Sequence, residues 1–501
     1  MEPMWIDGQR SAPASAESFA ATDPSTGESL ADRYPIATRA DLRAMLAAAK
    51  RAAQALRAVP AASRAAFLEA FANEIEADAD AIAALAARET ALPLRPRLRE
   101  IELGRTLTQL RQAAAATREG AWALPTTDAA NNLHSRFTPL GGAVLVFGPN
   151  NFPLAFNAIS GGDFAAAIAA GNPVIAKGHP AHPGTTARLA AAAQRALGKC
   201  PDLPPALVQM FFHCGVEDGL WLVGAPEVAA VAFTGSRGSG MKLKAAADHA
   251  GKPVYLEMSS VNPVFVLPGA LAAGGAKVVE DLATSMLQGA GQFCTSPGLV
   301  ILPGGGDAEQ AIAALAARLQ AAPAGVLLSS AGPSNLSAAV ATLCAHKAQV
   351  VTGGAPLPGP AFRFANTLLR VTAARFVAAP VALQTEAFGT AALVVVAADA
   401  DEMVAVAEHL EGSLTACVYS GAGDVDEALY RRLAPVLVEK AGRLLNDKMP
   451  TGVALSPAMV HGGPYPATGH PGFTAVGVPA SIRRFAKLTC FDNVRPSRLP
   501  S

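Results

Sequence analysis

Residues 228–240, Val-Ala-Ala-Val-Ala-Phe-Thr-Gly-Ser-Arg-Gly-Ser-Gly, decide the fold. Val228–Phe233 is an apolar run of strand length, Gly235–Gly240 a glycine-rich turn, and a helix is expected from about Met241. A strand that passes through such a turn into a helix lets backbone N–H groups and the helix N-terminus approach a dinucleotide phosphate. The turn is not GxGxxG, because position 237 is Arg, and not a Walker A loop, because Met241 follows Gly240. Taken alone, it also reads as a plain turn.

The alternation extends outward in both directions. Ala143–Phe147 is a buried-strand run, followed by an Ala-rich helix around 163–170, a strand at Pro173–Ala176 and a helix from His182 to about Leu197. Strands alternating with helices predict a parallel, doubly wound sheet. A second alternation starts near Val264, with strands at Val300–Leu302, Gly325–Leu328, Ala392–Val396 and Leu414–Tyr419. Thr38-Arg-Ala-Asp41 is a helix start, with helix to about Leu56, and residues 61–118 continue as helices interrupted at Pro93 and Pro96. Gly-rich 305–307 and Pro/Gly-rich 353–360 read as surface loops, and Thr489-Cys-Phe-Asp as a last strand.

Composition narrows the classes. The 501 residues predict two or three domains. Forty basic and forty acidic residues cancel, with no block of like charge, so neither a nucleic-acid footprint nor a basic membrane-surface helix is present. None of the six Cys forms a CxxC, so zinc and redox pairs are not expected and free thiols are. The N-terminus lacks a secretory signal and no long apolar run escapes interruption, so no membrane span is expected and the cytoplasm is the expected location.

Five residues could carry chemistry. Cys294, in Gly-Gln-Phe-Cys-Thr of 291–295, is a candidate nucleophile; a buried structural Cys is the alternative. Glu257, ending the apolar run Val254–Leu256, could be a desolvated base or a surface carboxylate. Asn151, before Phe-Pro, could donate to an oxyanion or form a turn. His179 and His182 have HxxH spacing, but the intervening prolines disfavour the helix that would converge them on a metal.

Together, Asn151-Phe-Pro, Lys177, Gly235–Gly240, Glu257, Gly291-Gln-Phe-Cys294 and Glu386-Ala-Phe-Gly389 resemble the aldehyde dehydrogenase superfamily in order and spacing, over nearly the whole chain. Asn151-Phe-Pro-Leu-Ala-Phe156, Ala181-His-Pro-Gly-Thr185, Gly289-Ala-Gly-Gln-Phe-Cys-Thr295 and Met459-Val-His-Gly-Gly-Pro-Tyr-Pro-Ala-Thr468 look like its 2,5-dioxovalerate (α-ketoglutarate semialdehyde) dehydrogenase branch, which has NADP-dependent fatty-aldehyde relatives.

The resemblance implies an α/β aldehyde dehydrogenase fold. A Rossmann-like cofactor domain would take 1–120 and 142–257, an α/β catalytic domain 258–460, and a small β oligomerisation extension 121–141 and 478–501. It implies oxidation of an aldehyde to its acid with NAD or NADP and no metal, in a homodimer or homotetramer. The expected substrate is 2,5-dioxopentanoate, with fatty or other aliphatic aldehydes as the alternative. Cys294 would attack the aldehyde, Asn151 and the Cys294 N–H would hold the oxyanion, and Glu257 would activate water. Glu386 and Phe388 would meet the nicotinamide end, Lys177 the adenosine ribose, and Gly235, Ser236 and Gly240 the pyrophosphate.

The chain departs from the family pattern at Met258-Ser259-Ser260, where Leu-Gly-Gly is usual. Two added side chains there would crowd the cofactor and leave a non-redox thiol esterase, or a binding protein with a decayed cofactor site, as a competing reading. A CoA-acylating or phosphorylating relative is a further rival, opposed by Glu257. Pro180 in place of an acid admits NADP, whereas Glu217 would repel its phosphate, so the choice stays open. Arg105 and Arg111 are candidate anchors for a substrate carboxylate, with a solvated helix face as the alternative.

Overall fold

The computed structural model describes residues 1–499. Thr38 caps the first long helix, Arg39–Ala55, by a reciprocal box. Its Oγ1 accepts from the Asp41 N–H at 3.3 Å, and its own N–H donates to the Asp41 carboxylate at 2.8 Å.

The first large sheet runs in the order Val254–Glu257, Val228–Thr234, Ala143–Phe147, Val174–Lys177, Val208–Phe211, all parallel, and is closed by the antiparallel hairpin Met4–Ile6 and Gln9–Ser11. Val144, Leu145, Ile175 and Val231 are fully buried, as strands covered by helices on both faces must be. The helix after the opening motif starts at Arg237, four residues before the position read from sequence, because Ser236 caps it and the last glycines of the turn are already helical.

The second sheet is parallel from Thr367–Thr372 through Ala391–Ala397, Leu299–Pro303, Val264–Val266 and Ser413–Tyr419 to Ala441–Asn446, with Gln349–Thr352 antiparallel at one edge. Two expectations fail here. Gly325–Leu328 is not a strand: Val326 makes one isolated bridge to Arg363, and the neighbouring Leu327 N–H goes to the Phe362 carbonyl, so no ladder develops. Residues 305–307 are not simply a loop, since helix Gly306–Ala321 begins there behind Gly305.

A third, antiparallel sheet joins Ala486–Asp492 to Leu133–Pro139 and Thr126–Asp128, tying a late strand to the hairpin that precedes strand Ala143–Phe147. Among the described residues no helix is long and apolar enough to cross a membrane.

Candidate active site

Phe147, Lys177, Thr234 and Glu257 end four neighbouring parallel strands, and all four line one cavity of about 520 Å³. The carboxyl edge of a parallel sheet is where open α/β folds bind ligands, because successive strand ends turn away and leave a crevice. Asn151, Gly235 and Ser236 extend this wall from the loops after the strands. Cys294, Glu386 and Phe388 close it from the side of the second sheet. Gly240 is not in the wall. It lies within helix Arg237–His249, where an added Cβ would press on Met258, so its smallness serves helix packing.

The Cys294 loop is held on three sides. Gly291, at φ +69°, packs so closely that a Cβ there would overlap the Gly389 carbonyl, which fixes this loop against the Glu386–Phe388 segment. Asn262 Nδ2 donates to the Cys294 and Ser296 carbonyls at 2.8 and 2.9 Å, while its Oδ1 accepts from Ser260 Oγ at 2.9 Å and Thr415 Oγ1 at 3.0 Å. Asn151 Nδ2 donates to the Gln292 carbonyl at 2.9 Å, which leaves the second N–H of that amide for the cavity.

His461, for which no local sequence signal indicates a role, stands at the centre of the site. Its Nε2 lies 3.0 Å from Glu257 Oε1 and 3.5 Å from Cys294 Sγ, with both the imidazole and the carboxylate almost fully buried. Its N–H donates to Thr474 Oγ1 at 3.0 Å, and Gly462 beside it lies against the Phe473 carbonyl. The opposite atoms, Glu257 Oε2 and His461 Nδ1, are buried without a partner. Burial first, then the Glu257 and Glu386 carboxylates, push the Cys294 thiol well above its ordinary value. His461 was visible in sequence only as part of Met459–Thr468; nothing local signals a contact 167 residues away.

Ser259 and Ser260 do not form a common wall. Ser260 points into the core, donating to Asn262 and accepting from the Leu414 N–H at 2.9 Å, and only Ser259 lines the cavity. Both support Glu386, whose Oε1 accepts from the Ser260 N–H at 3.2 Å. Burial raises the Glu386 pKa, and the Ser259 hydroxyl and Ser260 N–H oppose that rise. The expected crowding therefore reduces to one hydroxyl that also hydrogen-bonds the carboxylate.

Lys177 has no carboxylate beside it, and burial lowers it to about 8. The same wall carries His179, Pro180, Ser236 and Ser239. His179 and His182 do not converge on a metal: their rings stack at 5.4 Å, and His182 Nε2 lies 2.9 Å from the Pro149 carbonyl. Glu217 is exposed at the start of helix Val216–Gly224 and outside the cavity wall. Arg111 is also excluded, since it pairs with Glu76 at 2.6 Å on an exposed face. A buried lysine without a counter-ion and a separate helix N-terminus capped by Ser236, both on the wall of one cavity, fit the phosphates and ribose of a dinucleotide.

A model of the aldehyde dehydrogenase family matches residues 11–444. The chain is 41% identical to alpha-ketoglutaric semialdehyde dehydrogenase 2 of Azospirillum brasilense, over 98% of this chain and 94% of that one. It is 36% identical to an alpha-ketoglutaric semialdehyde dehydrogenase of Acinetobacter baylyi, over 87% and 83% of the two chains. Lactaldehyde dehydrogenase from Escherichia coli shares the fold, with a TM-score of 0.84 at 23% identity over 98% of both chains. The chain belongs to the aldehyde dehydrogenase family. It is an enzyme, an oxidoreductase that acts on an aldehyde with NAD or NADP.

Proposed function

We propose that the enzyme oxidises 2,5-dioxopentanoate to 2-oxoglutarate, with Cys294 as nucleophile. The Cys294–His461–Glu257 contacts carry the reading of the site, and the two relatives named for α-ketoglutaric semialdehyde carry the substrate. In this account Cys294 Sγ bonds to the aldehyde carbon while its proton passes to His461 Nε2. The imidazolium so formed faces the Glu257 carboxylate at hydrogen-bond distance, which offsets the cost of making a thiolate in a buried site. The free Asn151 N–H and the Cys294 backbone N–H face the developing oxyanion. Glu386 and Phe388 would hold the nicotinamide end of the dinucleotide; Lys177, Gly235 and Ser236 would hold its phosphates and adenosine ribose. The bound dinucleotide supplies the hydride acceptor. Glu257 Oε2, unpartnered and buried, then takes the proton of the water that releases the acid from Cys294.

We read residues 1–120 and 142–257 as the cofactor domain, 258–460 as the catalytic domain, and 121–141 with 478–501 as an extension for a homodimer or homotetramer. The exposed outer strand Ala486–Asp492, with Leu488 two-thirds exposed, supports that last assignment. A cytoplasmic location belongs to the same reading.

A panel of 2,5-dioxopentanoate, medium-chain alkanals and aromatic aldehydes, each with NAD+ and NADP+, tests the substrate. We expect the oxo acid to give the highest kcat/KM, with free acid formed in the absence of CoA and phosphate. Preference for a long alkanal would overturn the substrate.

A further inference from the structure

Two arginines behind the wall of the reaction cavity, neither of them part of its lining, have no carboxylate partner. Arg105, on helix Leu103–Glu119, donates Nη1 to the Val453 carbonyl. Arg443, on strand Ala441–Asn446, donates Nη2 to the Pro450 carbonyl and Nη1 to the Gly452 carbonyl, both at 3.1 Å. The two guanidinium groups thus grip the same loop, 450–453. Arg105 Nε and Nη2, and Arg443 Nε, are buried with no hydrogen-bond partner.

The free edge of Arg105 is specific. Nε–H and Nη2–H point the same way and form the side-on fork that matches the two oxygens of a carboxylate. The same edge of Arg188 holds Asp78 in this protein, with Nε and Nη2 at 2.5 and 2.7 Å from the two oxygens. Arg97 pairs with Glu102 and Arg484 with Asp163, whereas Arg64 donates only to the Val59 carbonyl and leaves its Nε without a partner. Leaving a buried fork empty is costly, so the site is built for an anion that arrives from outside the chain.

Phe156 links Arg105 to the cavity. The Arg105 guanidinium lies 5.6 Å from the centre of the Phe156 ring. Phe156 lines the cavity with Asn151 and Cys294, and its ring lies 5.9 Å from that of His461. Burial lowers the pKa of both arginines, and Cys294 is the first group that opposes this in each, so both charges are felt at the nucleophile.

We propose that Arg105 is the anchor for the distal carboxylate of the aldehyde substrate, with Arg443 positioning the 450–453 loop that aims it and adding a second positive charge. The substrate class is then a short aldehyde bearing a terminal carboxylate. An alkyl chain would leave the fork unsatisfied. This deepens the aldehyde oxidation reading and rests on it.

The test compares 2,5-dioxopentanoate with pentanal, which has the same chain length and no charge. The readout is the ratio of their kcat/KM values. Arg105→Met is expected to lower that ratio about a hundredfold, chiefly through KM for the oxo acid. Arg105→Lys, which keeps charge but loses the fork, is expected to fall between. Binding of 2-oxoglutarate by calorimetry gives a readout without turnover, and should be lost in Arg105→Met and present in the wild type. If Arg105 only braces the loop, both substrates fall together, the ratio stays constant, and the anchor is overturned while aldehyde oxidation stands. If no aldehyde reduces NAD(P)+, the aldehyde oxidation reading falls, and the anchor falls with it.

Discussion

At the residue scale, one nitrogen atom mediates between two acids. His461 Nε2 sits 3.5 Å from the Cys294 thiol and 3.0 Å from the Glu257 carboxylate, and can bond only one of them through a given proton. The thiol's raised pKa means that the neutral form dominates near neutral pH, and the thiolate fraction grows as pH rises toward the folded-state value. Alkylation of Cys294 by iodoacetamide should therefore accelerate by about tenfold per pH unit between roughly pH 6 and 9. His461→Asn should slow it across that range, because the acceptor for the proton is gone. A pH-independent rate would contradict a raised thiol pKa. Cys294 and Glu257 were legible because each sits in a short motif whose neighbours are fixed by close packing. His461 was not, because its role depends on a contact between the loop that follows the second sheet and the end of a strand in the first. The serines at 259 and 260 misled for a related reason. Alternation along the chain says that adjacent side chains diverge, but only the partners Asn262 and Leu414 reveal which one leaves the cavity.

At the element scale, the site depends on loops of two sheets being held in register. Gly291 is the tightest of these joints: its φ of +69° disfavours any side chain, and a Cβ would strike the Gly389 backbone. Gly291→Ala should cost about 1–3 kcal/mol in strain alone, and should also displace Glu386 relative to Cys294. Urea unfolding measures the first effect, and a raised KM for the dinucleotide with a smaller change in KM for aldehyde measures the second. Equal stability to the wild type would show that the loop relaxes without strain. The parallel strands were readable because strands buried on both faces are continuous apolar runs, as Ala143–Phe147 and Val228–Thr234 are. Gly325–Leu328 has the same apolar character, yet lacks a neighbour with which to form a ladder, and one strand's sequence does not disclose whether its partner exists.

At the scale of the whole molecule, the fold places a cavity at the carboxyl edge of the first sheet and closes it from the second. The general plan was legible from alternation and from six spaced motifs. The small sheet was legible only as a β extension implied by the resemblance and a final strand, since its pairing joins residues as far apart as Thr138 and Lys487, 349 positions along the chain. That sheet ends in an open edge, and Leu488→Asp on it should convert a dimer or tetramer to monomer in light scattering behind size exclusion. An unchanged mass would remove this strand from the interface. The central claim is that Cys294 forms a covalent acyl intermediate which Glu257 clears. It is tested most directly by mixing Glu257→Gln enzyme with 2,5-dioxopentanoate and NAD(P)+, then measuring the mass of the Cys294 peptide at early times. The account predicts one oxoglutaryl group per chain on Cys294, accompanied by a burst of reduced nucleotide and slow release of acid. An unmodified Cys294 with acid released at the wild-type rate would contradict it.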